Sequence, residues 1–411
     1  MAAFQRVVGC GSRRKCGSPT PKPIGRSQTD EAGKSGLRLV RVFIVNTDYD
    51  RFTEAFYGRN PSLAEATYAE QLVARDATLF GVSDFYPRRL RELGHEAVEV
   101  HVNNERLQRA WAREWGLAVA LGSVWQPVAR IAGVSIPAPR APAWQPKILR
   151  AQIEDFRPDV VLTHDLQEPE TGFWRWIKAR GAKLVGQIAS PLPRSMNPRD
   201  FDLLLSSLPN FVERFQAAGA RAELFRLGFD PVVLERLGPR PEPEHTVSFV
   251  GSVSPAHTER IAWLEAICAA TDIAIYAHGA DRLPKDSLIR RRNRGEVWGI
   301  DMYRVLAASR ITLNRHIGIA GQWANNMRLY EATGVGTLLI TDSKANLPEM
   351  FEPGREVVAY ESVRDCVDQI RHCIHHPRDA AEIAARGQSR TLSVHGYASR
   401  MSQLLSIISS I

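Results

Sequence analysis

The chain has 411 residues, 44% hydrophobic and 24% charged, a soluble globular balance too long for one ordinary core, so two domains of comparable size are expected. No apolar run approaches the length that crosses a bilayer, which argues against an integral membrane segment. Of the net charge of +8, residues 1–36 supply +5, from seven Lys/Arg against Asp30 and Glu31, and the remaining +3 makes no case for a nucleic-acid partner.

Residues 1–37, rich in Gly, Ser, Pro and Lys/Arg and without periodic apolar positions, are expected to form a disordered basic tail. No apolar secretory core follows the basic residues, and Pro19, Pro21 and Pro23 oppose an amphipathic transit helix, so a cytoplasmic location is expected. The five cysteines (10, 16, 268, 366 and 373) contain no CxxC pair and fit free thiols in a reducing compartment. His372, His375 and His376 beside Cys373 match no common zinc spacing.

The first strand is expected over 39–45, followed by helical periodicity from about 62 to 93, a break at Gly94 and a strand over 95–100. Residues 105–155 read as largely helical, with Trp111, Trp115 and Trp125, interrupted by the proline-rich stretch 137–146. From Pro158 the rhythm is compact: strand 160–163, helix 173–180, strands 183–187 and 202–206, helix 211–218. Short strands alternating with helices predict a parallel sheet, and this first domain is set at 38–236. Residues 237–245 hold three prolines and few apolar side chains, the composition of a linker.

A second series over 246–390 begins with strand 246–250 and Gly251-Ser252. Helix 256–270, strand 272–276, helix 301–309, strands 311–314 and 338–340 and a further strand near 357–360 follow. Helices near 363–374, 378–386 and 397–409 close the chain, and the segment 391–411 is expected to fold back over the first domain.

Asn325 through Gly336 reads as a short helix and glycine turn, leading into the buried strand 337–341 and Asp342. Such turns lie near the strand ends where open α/β sheets bind ligands. A carboxylate there, Glu331, can accept hydrogen bonds from both hydroxyls of a ribose, while helix N-termini and backbone N–H groups favour phosphate. The alternative is a surface ion pair with Arg328, which itself either faces a diphosphate or holds Glu331. The Gly251-Ser252 turn is either a diphosphate loop or a plain connection. His278 and Asn314 end strands on the same sheet edge. No G-x-G-x-x-G follows a strand, which disfavours a nicotinamide dehydrogenase.

In the first half, Asn46, Asp48 and Tyr49 end one strand and His164-Asp165 another. Asp165 or Asp48 is the candidate general base for an acceptor hydroxyl, with helix capping as the alternative for each. Asp48-Tyr49-Asp50 and Asp200-Phe201-Asp202 match a D-x-D metal pattern too short to be informative. Neither sits between two strands of a nucleotide half, so metal-independent chemistry is expected. Arg290 to Arg294, with Trp298, is the one basic cluster of the folded part, and it reads as a loop near a phosphate-bearing substrate or a solvated face.

Several segments resemble the GT-B glycosyltransferases, and within them the CgeB-like (spore maturation protein B type) group. They are Phe249-Val250-Gly251-Ser252, Val297-Trp298-Gly299 leading to Ser309 through Asn314, and Arg328 to Gly334 through Phe351-Glu352-Pro353-Gly354 and Glu356. Gly186 to Pro191 and Phe211 to Phe215 add to it. The resemblance implies an α/β protein of two Rossmann-like domains facing each other across a cleft, with the donor bound chiefly by the second and the acceptor by the first. Many retaining members carry two glutamates; Glu331 resembles the second, and Trp323 stands where the first would be.

The expected activity is hexosyltransferase-like: a sugar moves from a nucleotide diphosphate-sugar to an acceptor hydroxyl, without a cofactor beyond that co-substrate. Gly251, Ser252, His278, Asn314, Asn326, Arg328, Glu331, Thr333 and Gly334 are the donor-binding candidates. The acceptor (sugar, lipid or protein) is left open. The alternatives are an inactive nucleotide-sugar binding or scaffold protein and a sugar-nucleotide epimerase.

Overall fold

The computed structural model describes residues 39–119, 122–131, 134–253 and 258–411. The expected basic tail, with Cys10 and Cys16, lies outside the described residues, as do the first two positions of the helix expected from 256. In chain order the first half comprises β1 (Arg41–Asn46), α1 (Asp50–Arg59), α2 (Tyr68–Asp76), α3 (Phe85–Glu92), β2 (Glu96–His101), α4 (Glu105–Glu114), β3 (Ser123–Ile131), β4 (Val134–Pro142), α5 (Trp144–Phe156), β5 (Val160–Thr163), α6 (Phe173–Lys178), β6 (Lys183–Gln187), β7 (Leu203–Ser206), α7 (Pro209–Ala217), β8 (Ala222–Leu224) and α8 (Val232–Leu237). The second half comprises β9 (His245–Ser252), α9 (Thr258–Ala270), β10 (Ile273–His278), α10 (Leu288–Arg292), α11 (Ile300–Ala307), β11 (Ser309–Asn314), α12 (Met327–Gly334), β12 (Leu338–Asp342), β13 (Val358–Tyr360), α13 (Val363–His375), α14 (Pro377–Val394) and α15 (Tyr397–Ile408).

Strands such as Val160–Thr163 and Leu203–Ser206 are buried at every position, as strands of a sheet covered by helices on both faces must be. Six of them form a parallel sheet in the order β2-β1-β5-β6-β7-β8, and five form a second in the order β10-β9-β11-β12-β13. Each chain path starts inside its sheet, steps outward once, then crosses back and continues the other way. The reversal falls between β1 and β5 in one sheet and between β9 and β11 in the other. Loops at such reversals diverge to opposite faces and leave a crevice at the carboxyl ends of the strands.

Three expectations need correction. The region 105–155 is not largely helical: between α4 and α5 lies an antiparallel ribbon of β3 and β4, so Trp125 sits on a strand. Prolines suppress helix, but both strands of a two-stranded ribbon are edges, where a missing N–H is tolerated. The periodicity over 62–93 is broken by a turn over residues 77–84, in which Leu79 and Ser83 take positive φ of 56° and 46°. Gly334 is not a turn residue. It is helical and packs so closely on Phe229 that a Cβ would come within 2.5 Å of the ring, and the turn is made by Gly336 at φ 80°. The short β8 and α8 were not anticipated, and α14 runs on to Val394.

Two aromatic contacts stand out among those that join the halves. α15 packs on α3, with Tyr397 against Phe85 and Tyr86 at ring separations of 5.5 and 5.4 Å, so the chain end does cross back. On the other side, Trp298 stands edge-on to Phe80 and Tyr49, and the Ile300 N–H donates to the Thr78 carbonyl at 2.6 Å. Gly299 permits that approach, since at φ 55° a Cβ would lie 2.1 Å from the Thr78 oxygen. Within the proline-rich segment, the Arg240 guanidinium donates to the carbonyls of Ala307, Gly336 and Ser309, fastening it to the second half. Cys268, Cys366 and Cys373 are buried free thiols, and no helix among the described residues is long and apolar enough to cross a membrane.

Candidate active site

Both reversal points open on one crevice of about 1480 Å³. The first half contributes the residues after β1 (Asn46 to Arg51) and after β5 (His164, Asp165). The second contributes Gly251 and Ser252, which are the last residues of β9 and pair with Ala277 and His278 instead of forming the expected turn, Asn314 and Arg315 at the end of β11, and one face of α12. The topology therefore gathers side chains far apart in sequence at a single place.

On the second half, the Asn326 side chain caps α12 by accepting from the Leu329 N–H, and its amide donates to Asn314 Oδ1 at 2.8 Å. Asn314 in turn donates to Thr341 Oγ1. Glu331 lies one turn into the helix, 6% exposed, with Oε2 2.7 Å from Arg328 Nη1. Burial raises its carboxyl above the usual range and Arg328 opposes that shift. Arg328 also donates to the Val250 carbonyl at 3.3 Å, tying the pair to the end of β9. The second oxygen of Glu331 has no protein hydrogen-bond partner among the described residues. Gly251, Ser252, His278, Asn314, Asn326, Arg328 and Glu331 all line the crevice.

Thr333 and Gly334 do not join them. The Thr333 hydroxyl donates to the Leu329 carbonyl at 2.6 Å and lies 2.6 Å from Thr391 Oγ1, and Gly334 faces Phe229. Two residues along a helix is about 200° of rotation, so Thr333 faces away from the side of Glu331.

On the first half, Asp165 lines the crevice, and its Oδ1 accepts from the Gln167 N–H at 3.0 Å. Beside it His164 is driven down to about 4 by burial, so the imidazole is neutral near pH 7. Asp48 is corrected as a candidate base. Its carboxylate is 2% exposed and 2.8 Å from Arg75 Nη2, and it accepts from Asn104. Burial works against its ionisation, but the adjacent His101 ring and the Arg75 guanidinium outweigh this and hold it below its usual value. Since burial drives His101 itself to about 3, Arg75 is the cation that counts. A carboxylate so sealed and neutralised is a poor proton acceptor.

Other crevice residues were not singled out from sequence. Arg260, in the first turn of α9, donates to the Ser252 and Arg315 carbonyls at 3.1 Å each, while its Nε is buried with no partner among the described residues. Burial lowers its pKa, yet a guanidinium stays charged. Its place in the first turn of the helix that follows the Gly251-Ser252 strand end was the available signal. Glu296 lies 2.9 Å from His278 Nδ1 and 3.8 Å from Arg51, and only the neighbouring Val297-Trp298-Gly299 hinted at it. Neither D-x-D pattern gathers further ligands: among the described residues no group of three His, Cys, Asp or Glu is placed to hold a metal ion. In the basic cluster, Arg290 and Arg292 are turned onto backbone carbonyls of their own half.

Residues 260–406 match the family model described as Glycosyl transferase-like. No curated protein matches in sequence. Among solved structures, a glycosyltransferase from Rickettsia africae superposes with a TM-score of 0.56 at 12% identity, over 90% of this chain and 98% of that one. Anabaena Alr3699/HepE in complex with UDP-glucose gives 0.54 at 12% identity, over 90% and 100%. AviGT4, a glycosyltransferase involved in avilamycin A biosynthesis, gives 0.51 at 18% identity, over 89% and 96%. The chain thus shares the two-sheet α/β fold of GT-B glycosyltransferases.

Proposed function

We propose that this protein transfers a sugar from a nucleotide diphosphate-sugar to an acceptor hydroxyl. The observation that carries this reading is Glu331: a buried carboxylate, oriented by Arg328 through one oxygen, on the wall of a crevice onto which two strand-reversal points open. Its other oxygen is matched to a ribose diol. The Gly251-Ser252 end of β9 and Arg260 meet the diphosphate, with Asn314 and Asn326 beside them, so its charge is met without a metal ion.

Transfer breaks the anomeric C–O bond to the diphosphate, forms the bond to the acceptor oxygen and releases the acceptor proton. Asp165, which lines the same crevice, takes that proton. The resemblance of the segments through Arg328 to Gly334 supports membership of the CgeB-like group and a hexose as the transferred sugar. Three buried free thiols support a cytoplasmic location, which cell fractionation checks.

Substitution Glu331→Gln keeps the volume and one acceptor but removes the charge that binds two hydroxyls. Affinity for UDP or GDP, measured by calorimetry, is expected to fall by about tenfold with the melting point little changed. Unchanged affinity would refute the ribose role. The second reading, a nucleotide-sugar binding protein without turnover, is favoured by the sealing of Asp48, which leaves Asp165 as the single remaining base of the two. Release of free nucleoside diphosphate from a panel of donors separates the two readings.

A further inference from the structure

The crevice wall beyond Glu331 bears on which nucleobase fits, an inference that rests on the ribose role of Glu331. Arg260 bridges the Ser252 and Arg315 carbonyls, so its positive charge, which would draw a diphosphate, sits between the ends of β9 and β11. Arg328 ties Glu331 to Val250 on β9 and to Met302 Sδ at 3.1 Å. With phosphate on the β11 side of β9 and the ribose at Glu331, the base extends over the neighbour on the other side, β10. Tyr276 is there, paired in register with Val250, then His278, and against it Glu296 and Val297.

Apart from Glu331, Glu296 is the one carboxylate that the described residues of the second half bring to the crevice. Oε1 accepts from His278 Nδ1 at 2.9 Å and lies 3.8 Å from Arg51, so the side chain is oriented from both halves. Oε2 has no protein partner among the described residues. A carboxylate offers acceptors only. Guanine presents two adjacent donors, N1–H and the N2 amino group, to such a partner. Uracil offers one N–H between two carbonyls whose lone pairs repel a carboxylate, and adenine and cytosine pair their one amino donor with a ring acceptor.

We infer that Glu296 selects the nucleobase of the donor and that the base it selects is guanine. It forms hydrogen bonds to N1–H and N2–H, with His278 and Arg51 as its positioning groups.

Calorimetry of the full chain with GDP, IDP, UDP and ADP tests this, IDP being GDP without the N2 amino group. The wild type should bind GDP more tightly than UDP or ADP by about tenfold or more, and more tightly than IDP by roughly tenfold, the loss of one hydrogen bond to a charged group. Glu296→Gln should reduce the GDP to IDP ratio to about one while leaving ADP affinity within about threefold. Equal GDP and IDP affinity in the wild type, tighter UDP than GDP, or an equal weakening of all four ligands in the variant would overturn the inference. The last result would make Glu296 a strap between the halves. Glu331→Gln in the same series separates the two readings. If it weakens binding of every ligand but no base preference exists, the guanine inference alone falls; if it changes nothing, the ribose reading falls and takes the inference with it.

Discussion

At the end of β1 both oxygens of the Asp48 carboxylate are taken, Oδ1 by Arg75 and Oδ2 by Asn104, and Arg75 also pairs with Asp76. At the end of β9 and along α12, Glu331 and Glu296 each have one oxygen fixed by a protein cation or ring and the other without a protein partner among the described residues. Apart from the extra edge strand β8, strand order is the same in the two sheets, so topology decides where a crevice opens but not what it presents. The presence or absence of a second, buried charge from a neighbouring helix decides that, and α2 supplies one to the first half in Arg75.

The sharpest way to break this comparison is to remove that charge. Arg75→Met should leave the buried Asp48 and the half-buried Asp76 without their cation and destabilise the protein by roughly 3–5 kcal/mol, read from denaturant unfolding. A loss below about 1 kcal/mol would mean the cluster is not the sealed ion pair described. A smaller effect is expected at the neighbouring strand end. Asp165→Asn should slow nucleoside diphosphate release from a nucleotide-sugar by about 100-fold while leaving nucleotide affinity unchanged. An equal loss in affinity would move Asp165 from the acceptor side to the donor side.

A pH-dependent effect concerns Glu99, whose carboxyl burial pushes up to about 8 from an ordinary 4.5 despite the opposing Arg75 and Asn46. Between those values the folded protein holds a proton there that the unfolded chain has lost. Stability from this group is full below about 4.5 and declines as pH rises towards about 8, by at most about 1.4 kcal/mol per pH unit. Glu99→Gln should flatten that decline in unfolding experiments between pH 5 and 8, and an unaltered slope would show that Glu99 is ionised in the fold.

Much of the second half was legible because its strands are short apolar runs punctuated by polar or glycine ends, as at Ile311 to Asn314. Glu331 and Arg328 were legible as partners because residues three apart share a helix face. The same geometry excludes Thr333, so that error lay in following the motif rather than the helix period. The sealing of Asp48 was not legible, since Arg75 lies 27 residues away and reaches it only when α2 docks. The β3–β4 ribbon was hidden by prolines that argue equally against helix and central strand. Arg260 and Glu296 matter through contacts with backbone or side chains of other elements, which no local pattern encodes.

One consequence follows from α15 lying against α3. A gene split at the proline-rich segment would hand the last helix to the wrong product: the amino-terminal piece would expose Phe85 and Tyr86, and the carboxyl-terminal piece would carry a helix bearing an unmatched Tyr397. Independent production of the amino-terminal piece therefore calls for grafting residues 397–408 onto it, so the unit of folding differs from the unit that a linear division of the chain suggests.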